Sequence, residues 1–362
     1  MPKTILFFAD RLPPLIGGVE MHAKYFIEHF SYHPRLSIVG TITKNALGED
    51  CLVVGNSLQP VLIENSCLLP NPDIVFFNSG KWIEQFTRIR EKFPKALFIY
   101  RTGGNEILKA PLVHKQIPSH ALRQSYWAHT INQTIDIMIT NSTYTEKRLQ
   151  KIGITCFFQR CVGGVNSFAL KTPKLPKNEL PVIFCAARFV HYKNHNLMVS
   201  VIKELVERGH KFHVRLAGDG PLLSKVQEQV KNDQLTSVIT FLGAIDNQEV
   251  CREITLANIY MQLSSDHEIQ VPGGSYIHSE GMGRSILEAL TAGVFVIVGQ
   301  SGALSEIVTK DKGLIVEPNH YKLVADQVEP ILSSLPKRRP FSNDYSWTNI
   351  FRRYEDFMES SK

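Results

Sequence analysis

The residues with the most chemistry to offer lie between Ser279 and Val308, in SEGMGRSILEALTAGVFVIVGQSGALSEIV. Glu280, Gly281 and Gly283 put a carboxylate and two glycines on a loop, and Arg284 to Thr291 reads as a helix that stops at Gly293. Glycines at a helix entrance let a phosphate approach the backbone N–H groups, where the helix dipole favours negative charge. Glu280 belongs to the loop and Glu288 lies about one turn into the helix, so the two carboxylates address different parts of one ligand. Upstream, CAARFVHYKNHNLM places Arg188 and Lys193 just after a strand, on a loop that enters another helix. Two cations beside a helix start clamp a diphosphate and oppose the charge it carries as a leaving group. Taken singly, each motif also reads as a glycine turn with solvated glutamates, or as surface cations. Their occurrence in one half of the chain favours a shared anionic ligand.

These loops need strands and helices to hold them. Short apolar runs alternate with amphipathic stretches along both halves, the pattern of βα units around parallel sheets. Strands are expected at Thr4 to Ala9, Leu36 to Val39, Asp73 to Phe77, Leu97 to Tyr100 and Ile135 to Thr140. A second set is expected at Val182 to Ala186, Phe212 to Ala217, Val238 to Leu242, Ile259 to Leu263, Val294 to Val298 and Leu314 to Val316. Lys171 to Pro181, KTPKLPKNELP, has no apolar periodicity and reads as the linker. The expected division is therefore residues 1–170 and 171–345, two doubly wound α/β domains. His195 to Glu207 and Pro221 to Lys231 read as helices. So does Asn349 to Ser360, whose Ile350, Tyr354 and Met358 form an apolar stripe that needs a partner.

The 362 residues exceed what one compact core accommodates, and 43% hydrophobic with 20% charged content excludes a disordered or coiled-coil chain. The N-terminus lacks the long apolar core of a signal peptide, and no run approaches a membrane span. Six scattered cysteines without a CxxC pair fit reduced thiols, so a cytoplasmic protein is expected. The net charge of +6 is uneven: residues 1–170 carry 18 Lys and Arg against 12 Asp and Glu, and the remainder 22 against 22. Lys81, Arg88, Arg90, Lys92 and Lys95 cluster where Trp82, Ile83, Phe86, Ile89 and Phe93 recur at helical spacing. That is a solvated helix face or a surface for anionic acceptors or lipid headgroups. Without an arginine-rich tract or an aromatic platform, nucleic acid is not an expected partner.

Glu280 and Glu288 reproduce an E-x7-E pattern, and the stretch around them resembles that of the GT-B fold retaining glycosyltransferases of family 4, the glycosyl transferases group 1. Met282 stands where the family's EGFG-type loop has an aromatic residue. Weaker features fall in the same order: Gly17 to Glu20, Pro72 to Val75, Asn141 and Ser142, Gly164 to Asn166 with Phe168, Gly218 to Gly220, Phe241 to Gly243, and Glu306. The resemblance covers nearly the whole chain. It implies an acceptor domain, a sugar-nucleotide domain and a cleft between them, with the last helix, 346–362, crossing back to the first domain.

By resemblance, Arg188 and Lys193 bind the donor diphosphate, Glu288 holds the nucleotide ribose, and Glu280 with the amides of Gly281, Met282 and Gly283 holds the donor sugar. Ser285 and Ile286 offer backbone N–H groups to phosphate, Gly243 to Ile245 lie beside the base, and Gly17 and Gly18 approach the diphosphate. The resemblance implies transfer with retention by front-face attack, without a metal or other cofactor. UDP-sugars are the first expected donors and GDP-sugars the second. Expected acceptors are glycans, lipid-linked sugars, lipopolysaccharide or small molecules, with an anionic membrane surface as a further partner.

The chain departs from the family at FIYRTGGNE, where Arg101 or Thr102 replaces a histidine. Arg101 is therefore a candidate sugar- or acceptor-contacting group, or a structural partner. It departs again at Asp266 to Ser279, a longer connection than usual, with Glu268, Tyr276 and His278 as pocket candidates. Two rival readings are a nicotinamide-dependent oxidoreductase, which the lack of a G-x-G-x-x-G turn after the first strand disfavours, and a catalytically silent sugar-nucleotide-binding subunit.

Overall fold

The computed structural model describes every residue except 1, 11, 13–17, 46–48, 55–56, 61–68, 70, 112–116, 167–179, 340–344 and 361–362. It divides into two compact units. The first holds Met1–Gly164, Ile269–Tyr276 and Trp347–Lys362; the second holds Val165–Glu268 and Ile277–Ser346. The expected boundary at 170/171 lies outside the described residues. The inclusion of Ile269–Tyr276 in the first unit was not foreseen.

The first unit is built on a sheet of β1 (Lys3–Phe8), β2 (Leu36–Lys44), β3 (Asp50–Val54), β4 (Ser57–Pro60), β5 (Ile74–Phe77), β6 (Leu97–Arg101), β7 (Ile137–Thr140) and β8 (Phe157–Arg160). Their order is β4-β3-β2-β1-β5-β6-β7-β8. Strands β2, β1, β5, β6, β7 and β8 are parallel, and at one edge β3 pairs antiparallel with β2 and β4 antiparallel with β3. The central strands are apolar on both faces because helices cover both. The sequence reading omits β3, β4 and β8. The last of these has the polar pair Gln159 and Arg160 and an exposed Phe157, so it lacks the apolar run that marks a buried strand.

The final helix, Trp347–Ser360, finds its partner in this unit. Ile350, Phe351, Tyr354 and Met358 are buried in one cluster with Phe26 and Phe30 of the helix Gly18–Phe30 and Phe76 of β5. The Tyr354 hydroxyl lies 3.2 Å from His22 Nε2. Lys3 Nζ donates to the terminal carbonyls of Met358 and Glu359 at 3.1 and 3.0 Å, which places a cation at the negative end of the helix. Gly164 has φ +106°, and a Cβ there would stand 2.3 Å from the Trp347 ring.

The second unit has a parallel sheet of β9 (Val182–Ala186), β10 (His213–Ala217), β11 (Ile239–Gly243), β12 (Ile259–Gln262), β15 (Phe295–Gly299) and β16 (Gly313–Val316). Between β12 and β15 the chain forms a two-stranded ribbon, β13 (His267–Val271) and β14 (Gly274–His278). The sheet order is β11-β10-β9-β12-β15-β16. The chain enters at β9, winds outward to β11, then returns and winds the other way from β12. Its direction of winding reverses between β9 and β12, and in such sheets ligands bind outside the carboxyl ends of the strands at that point.

The β13–β14 ribbon replaces the loop expected over Asp266 to Ser279. Pro272 and Gly273 form its turn, and the φ of +72° at Gly273 is what the second central position of a type II turn requires. The tip is anchored in the first unit. His120 N donates to Gly273 O at 3.1 Å, and the buried Arg123 guanidinium donates to the carbonyls of Ala110, Ile117, Pro118 and Pro272. A Cβ at Gly273 would stand 1.9 Å from Pro118 O. Tyr276 belongs to the core of the first unit, so its expected place in a sugar pocket is replaced by a packing role.

Candidate active site

The carboxyl ends of β9 and β12 hold most of the residues singled out from the sequence. Beyond β9 the chain passes through Arg188 and turns at Lys193 into the helix His195–Glu207. Two glycines allow this turn to lie against its neighbour. Gly218 and Gly220, after β10, have φ of +135° and +151°, and a Cβ on either would run into Ala187 O at 2.1 Å or Phe189 O at 2.6 Å. Phe189 N donates to Asp219 O, and Gly218 N to Gly243 O, which ties together the loops after β9, β10 and β11.

Lys193 and Glu280 form a buried ion pair, with Nζ to Oε1 at 2.5 Å. The same oxygen accepts from Ser264 Oγ at 2.8 Å and Gln262 Nε2 at 3.3 Å. Burial acts to raise the Glu280 carboxyl, but the Lys193 ammonium and the Ser264 hydroxyl outweigh it and hold it below its ordinary value. For Lys193, burial acts downward and the Glu280 charge prevails, raising its pKa. Glu280 Oε2 has no hydrogen-bond partner among the described residues and is not sealed from solvent. The backbone of Glu280 is also fixed: its N–H donates to Ser301 Oγ, its carbonyl accepts from Ala303 N, and Asp266 Oδ1 accepts from both Ser301 Oγ and Gly302 N.

Gly283, with φ +73°, opens the helix Arg284–Thr291, whose first turn has no side-chain cap. The Ile286 N–H, expected to be offered to phosphate, already donates to Gly283 O at 3.0 Å, and the Ile286 side chain is buried in the core. Ser285 presents its hydroxyl 2.7 Å from that of Tyr260. Glu288 is buried, accepts from Asn247 Nδ2 at 3.0 Å and lies 3.6 Å from Arg284 Nε. Its pKa is raised by burial, against the opposing effects of Arg284 and Asn247. Asn247 is the first residue of the helix Asn247–Leu256, which follows the Gly243–Ile245 loop after β11, so that loop leads directly to a partner of Glu288. Arg188 is exposed and makes no side-chain hydrogen bond or ion pair among the described residues.

Other expected residues have different settings. Gly17 and Phe168 lie outside the described residues, and Gly18 begins the helix Gly18–Phe30 with open space at its Cβ position. Arg101 ends β6 in the first unit, where Nη1 donates to Asn78 Oδ1 at 3.5 Å. In the basic stretch, Arg90 is held by both oxygens of Asp136 at 3.0 Å, which neutralises one of its five cations. His29, His33 and Glu355 are the three side chains among the described residues grouped closely enough to hold a metal. His33 Nδ1 accepts from Leu36 N, which leaves the proton on Nε2 facing Glu355. With that nitrogen protonated, His33 faces the last helix as a hydrogen-bond donor and does not offer Nε2 to a metal.

His195 begins the helix after Lys193 and stacks on Phe189 with ring centroids 4.0 Å apart. Burial, and then the Lys193 charge, push its imidazole down to about 4. The unfolded residue gains a proton near its ordinary value while the folded one resists. The stability linked to His195 is therefore complete above about pH 6.5 and is lost as pH falls toward 4, by at most about 3 kcal/mol. Urea unfolding between pH 4 and 7 should show this acid slope, and His195→Leu should flatten it. An unchanged slope would assign the loss to other groups.

Residues 168–344 match the family model described as Glycosyl transferases group 1. This stretch, just under half of the chain, is similar to the domain that defines that family. The match spans the described site from Arg188 to Glu288. Among curated proteins, a GDP-mannose-dependent monoacylated alpha-(1-6)-phosphatidylinositol monomannoside mannosyltransferase of Corynebacterium glutamicum is 22% identical over 99% of this chain and 98% of its own length. A GDP-mannose-dependent alpha-(1-6)-phosphatidylinositol monomannoside mannosyltransferase of Mycolicibacterium smegmatis is 20% identical over 92% and 90%. Among solved structures, Anabaena HepE in complex with UDP and glucose superposes with a TM-score of 0.70 at 14% identity, covering 99% of this chain and all of HepE. The fold is thus GT-B, and the similarity to glycosyl transferases group 1 spans the switch point of the second sheet. No helix among its described residues is long and apolar enough to cross a membrane.

Four residues beneath the site, Tyr260, Gln262, Ser264 and Asn247, were missed in the sequence. A signal was present for two of them: IYMQ is a central parallel strand in which Tyr and Gln interrupt an apolar run.

Proposed function

We propose that this glycosyltransferase moves a hexose from a nucleotide-diphosphate sugar to a hydroxyl group with retention of configuration, without a metal. The observation that supports this best is the state of Glu280. Its Oε1 is held by three donors, and Oε2 is left to accept from a hydroxyl of the donor sugar. Lys193 spends one of its three N–H donors on Glu280 and retains two for a phosphate oxygen. Arg188 adds a second cation, and the uncapped start of Arg284–Thr291 adds its dipole. These groups stabilise the diphosphate as it leaves, and the departing phosphate oxygen takes the proton of the attacking hydroxyl. Glu288, held by Asn247, addresses the ribose.

The names of the two mannosyltransferase relatives support testing GDP-mannose before UDP-sugars, the reverse of the order expected from sequence. They also favour a glycolipid acceptor; that it is reached from the cytoplasmic side is our own reading, in keeping with free thiols at Cys51, Cys156, Cys161, Cys185 and Cys251 among the described residues. The test is thermal unfolding with GDP, GDP-mannose, UDP and UDP-glucose, each with and without chelator and with and without anionic vesicles. A nucleotide at a hundred times its dissociation constant adds about 2.7 kcal/mol, a readily measured rise in Tm. The expected result is a chelator-insensitive rise with one nucleotide class, weakened in Arg188→Ala. Absence of a rise with all four would overturn the donor-site reading.

A further inference from the structure

A strand with parallel neighbours on both sides is covered on both faces and is normally apolar throughout. In β12, Tyr260 and Gln262 are two residues apart on one face, and they bury a phenol and an amide at 0% and 1% exposure. The desolvation of such groups is offset only if their hydrogen bonds are made. Here they are made, and in a fixed direction. An ionised Glu280 can only accept, so the end of Gln262 that faces it is the nitrogen, 3.3 Å from Oε1 and 2.9 Å from Ser264 Oγ. Gln262 Oε1 then faces the Tyr260 hydroxyl at 3.1 Å. Tyr260 also accepts from Ala186 N, and its one proton has three acceptors in reach: Gln262 Oε1, Ala186 O at 3.1 Å and Ser285 Oγ at 2.7 Å, at the start of the helix Arg284–Thr291; with the Ser285 hydroxyl donating to Tyr260, that proton goes to Gln262. One buried relay therefore runs from the helix entrance to the carboxylate.

We infer that Gln262 is a positioning residue for sugar transfer: anchored by Tyr260, its amide nitrogen fixes Glu280 with Oε1 turned inward and Oε2 presented to the ligand. The inference rests on the glycosyl-transfer reading of this site. Ser264 and Lys193 also hold Oε1, but only Gln262 links that oxygen to the helix entrance. The relay thereby sets the carboxylate and the helix start in one frame.

The test compares the full-length parent with Gln262→Met and Gln262→Glu. The probes are GDP and GDP-mannose, or UDP and UDP-glucose if those are what stabilise the parent. Turnover is followed as consumption of the nucleotide sugar with water as acceptor. Gln262→Met keeps the shape and loses the donors; it is expected to bind the nucleotide as the parent does while kcat falls about 10- to 100-fold, as small misplacements of reacting groups do. Gln262→Glu gives a pH signature. As a neutral acid it donates to Glu280 in place of the amide, and once ionised it repels Glu280. Its kcat is expected to approach that of the parent at acid pH and to fall as pH rises, on a limb the parent lacks.

A Gln262→Met variant with parental kcat, or a Gln262→Glu variant with the parental pH profile, overturns the inference alone. A parent that binds no nucleotide and consumes no nucleotide sugar overturns the transfer reading and the inference with it. Should Gln262→Met fail to fold, the pH profile of Gln262→Glu decides the matter.

Discussion

Lys193→Met is expected to lose about 3–5 kcal/mol of folding stability at neutral pH, the loss typical of a buried ion pair deprived of one partner. Most of that loss comes from what remains. Glu280 is 7% exposed, and without the ammonium the hydrogen bonds of Ser264 and Gln262 and the nearby His278 are left to oppose its desolvation. In the parent, the Glu280 carboxyl is held below its ordinary value, so its contribution is present above the unfolded pKa and is lost as pH falls through the folded one. In the variant the sign reverses: burial raises the carboxyl, and stability should recover as pH falls and the group protonates. Chemical unfolding of both proteins at several pH values reads this directly. Adding Glu280→Gln should restore stability at neutral pH without restoring transfer, because the neutral amide no longer needs a counter-charge. Equal stability of Lys193→Met and the parent at pH 7 would show that the pair is not buried as described.

Glu280→Ala is expected to reduce sugar-nucleotide turnover by about 100- to 1000-fold, the scale measured when an oriented group acting on the transition state is removed. Binding of the nucleotide alone should change little, because Glu280 is assigned to the sugar. Glu288→Ala should do the reverse, weakening nucleotide binding about tenfold, equivalent to about 1.4 kcal/mol for a lost buried hydrogen bond. The two variants form a crossed test by calorimetry with the free nucleotide and by donor consumption. Parental turnover in Glu280→Ala, or weakened nucleotide binding in it alone, would reassign the carboxylates.

The parts of this protein that were legible in the sequence are those with local causes. The helices His195–Glu207 and Arg284–Thr291 follow from apolar spacing and from the glycines at the entrance of the second. Ile350, Tyr354 and Met358 identified a helix with an unsatisfied face, but the pattern carries no information about which surface covers it. The Asp266 to Ser279 segment was legible as an insertion and not as a ribbon. Its Pro272–Gly273 turn is a local signal, whereas the anchoring of its tip by Arg123 depends on a side chain well over a hundred positions away.

The sequence by itself determined which chemical groups the site has: two carboxylates, two cations and glycines on loops that follow strands. Residue type and short-range spacing are sufficient for that. Only the tertiary structure decided how those groups are used. Lys193 and Glu280 are 87 residues apart, and Ser264 and Gln262 are 16 and 18 residues from Glu280. They converge on one oxygen because β12 is laid beside β9 where the winding of the sheet reverses. That neighbour relation is set by strand order and register, which no local pattern encodes. It gives a lysine expected to serve phosphate a second part as the counter-charge of Glu280, and brings two polar residues, Gln262 at the end of a buried strand and Ser264 just beyond it, against the same carboxylate oxygen.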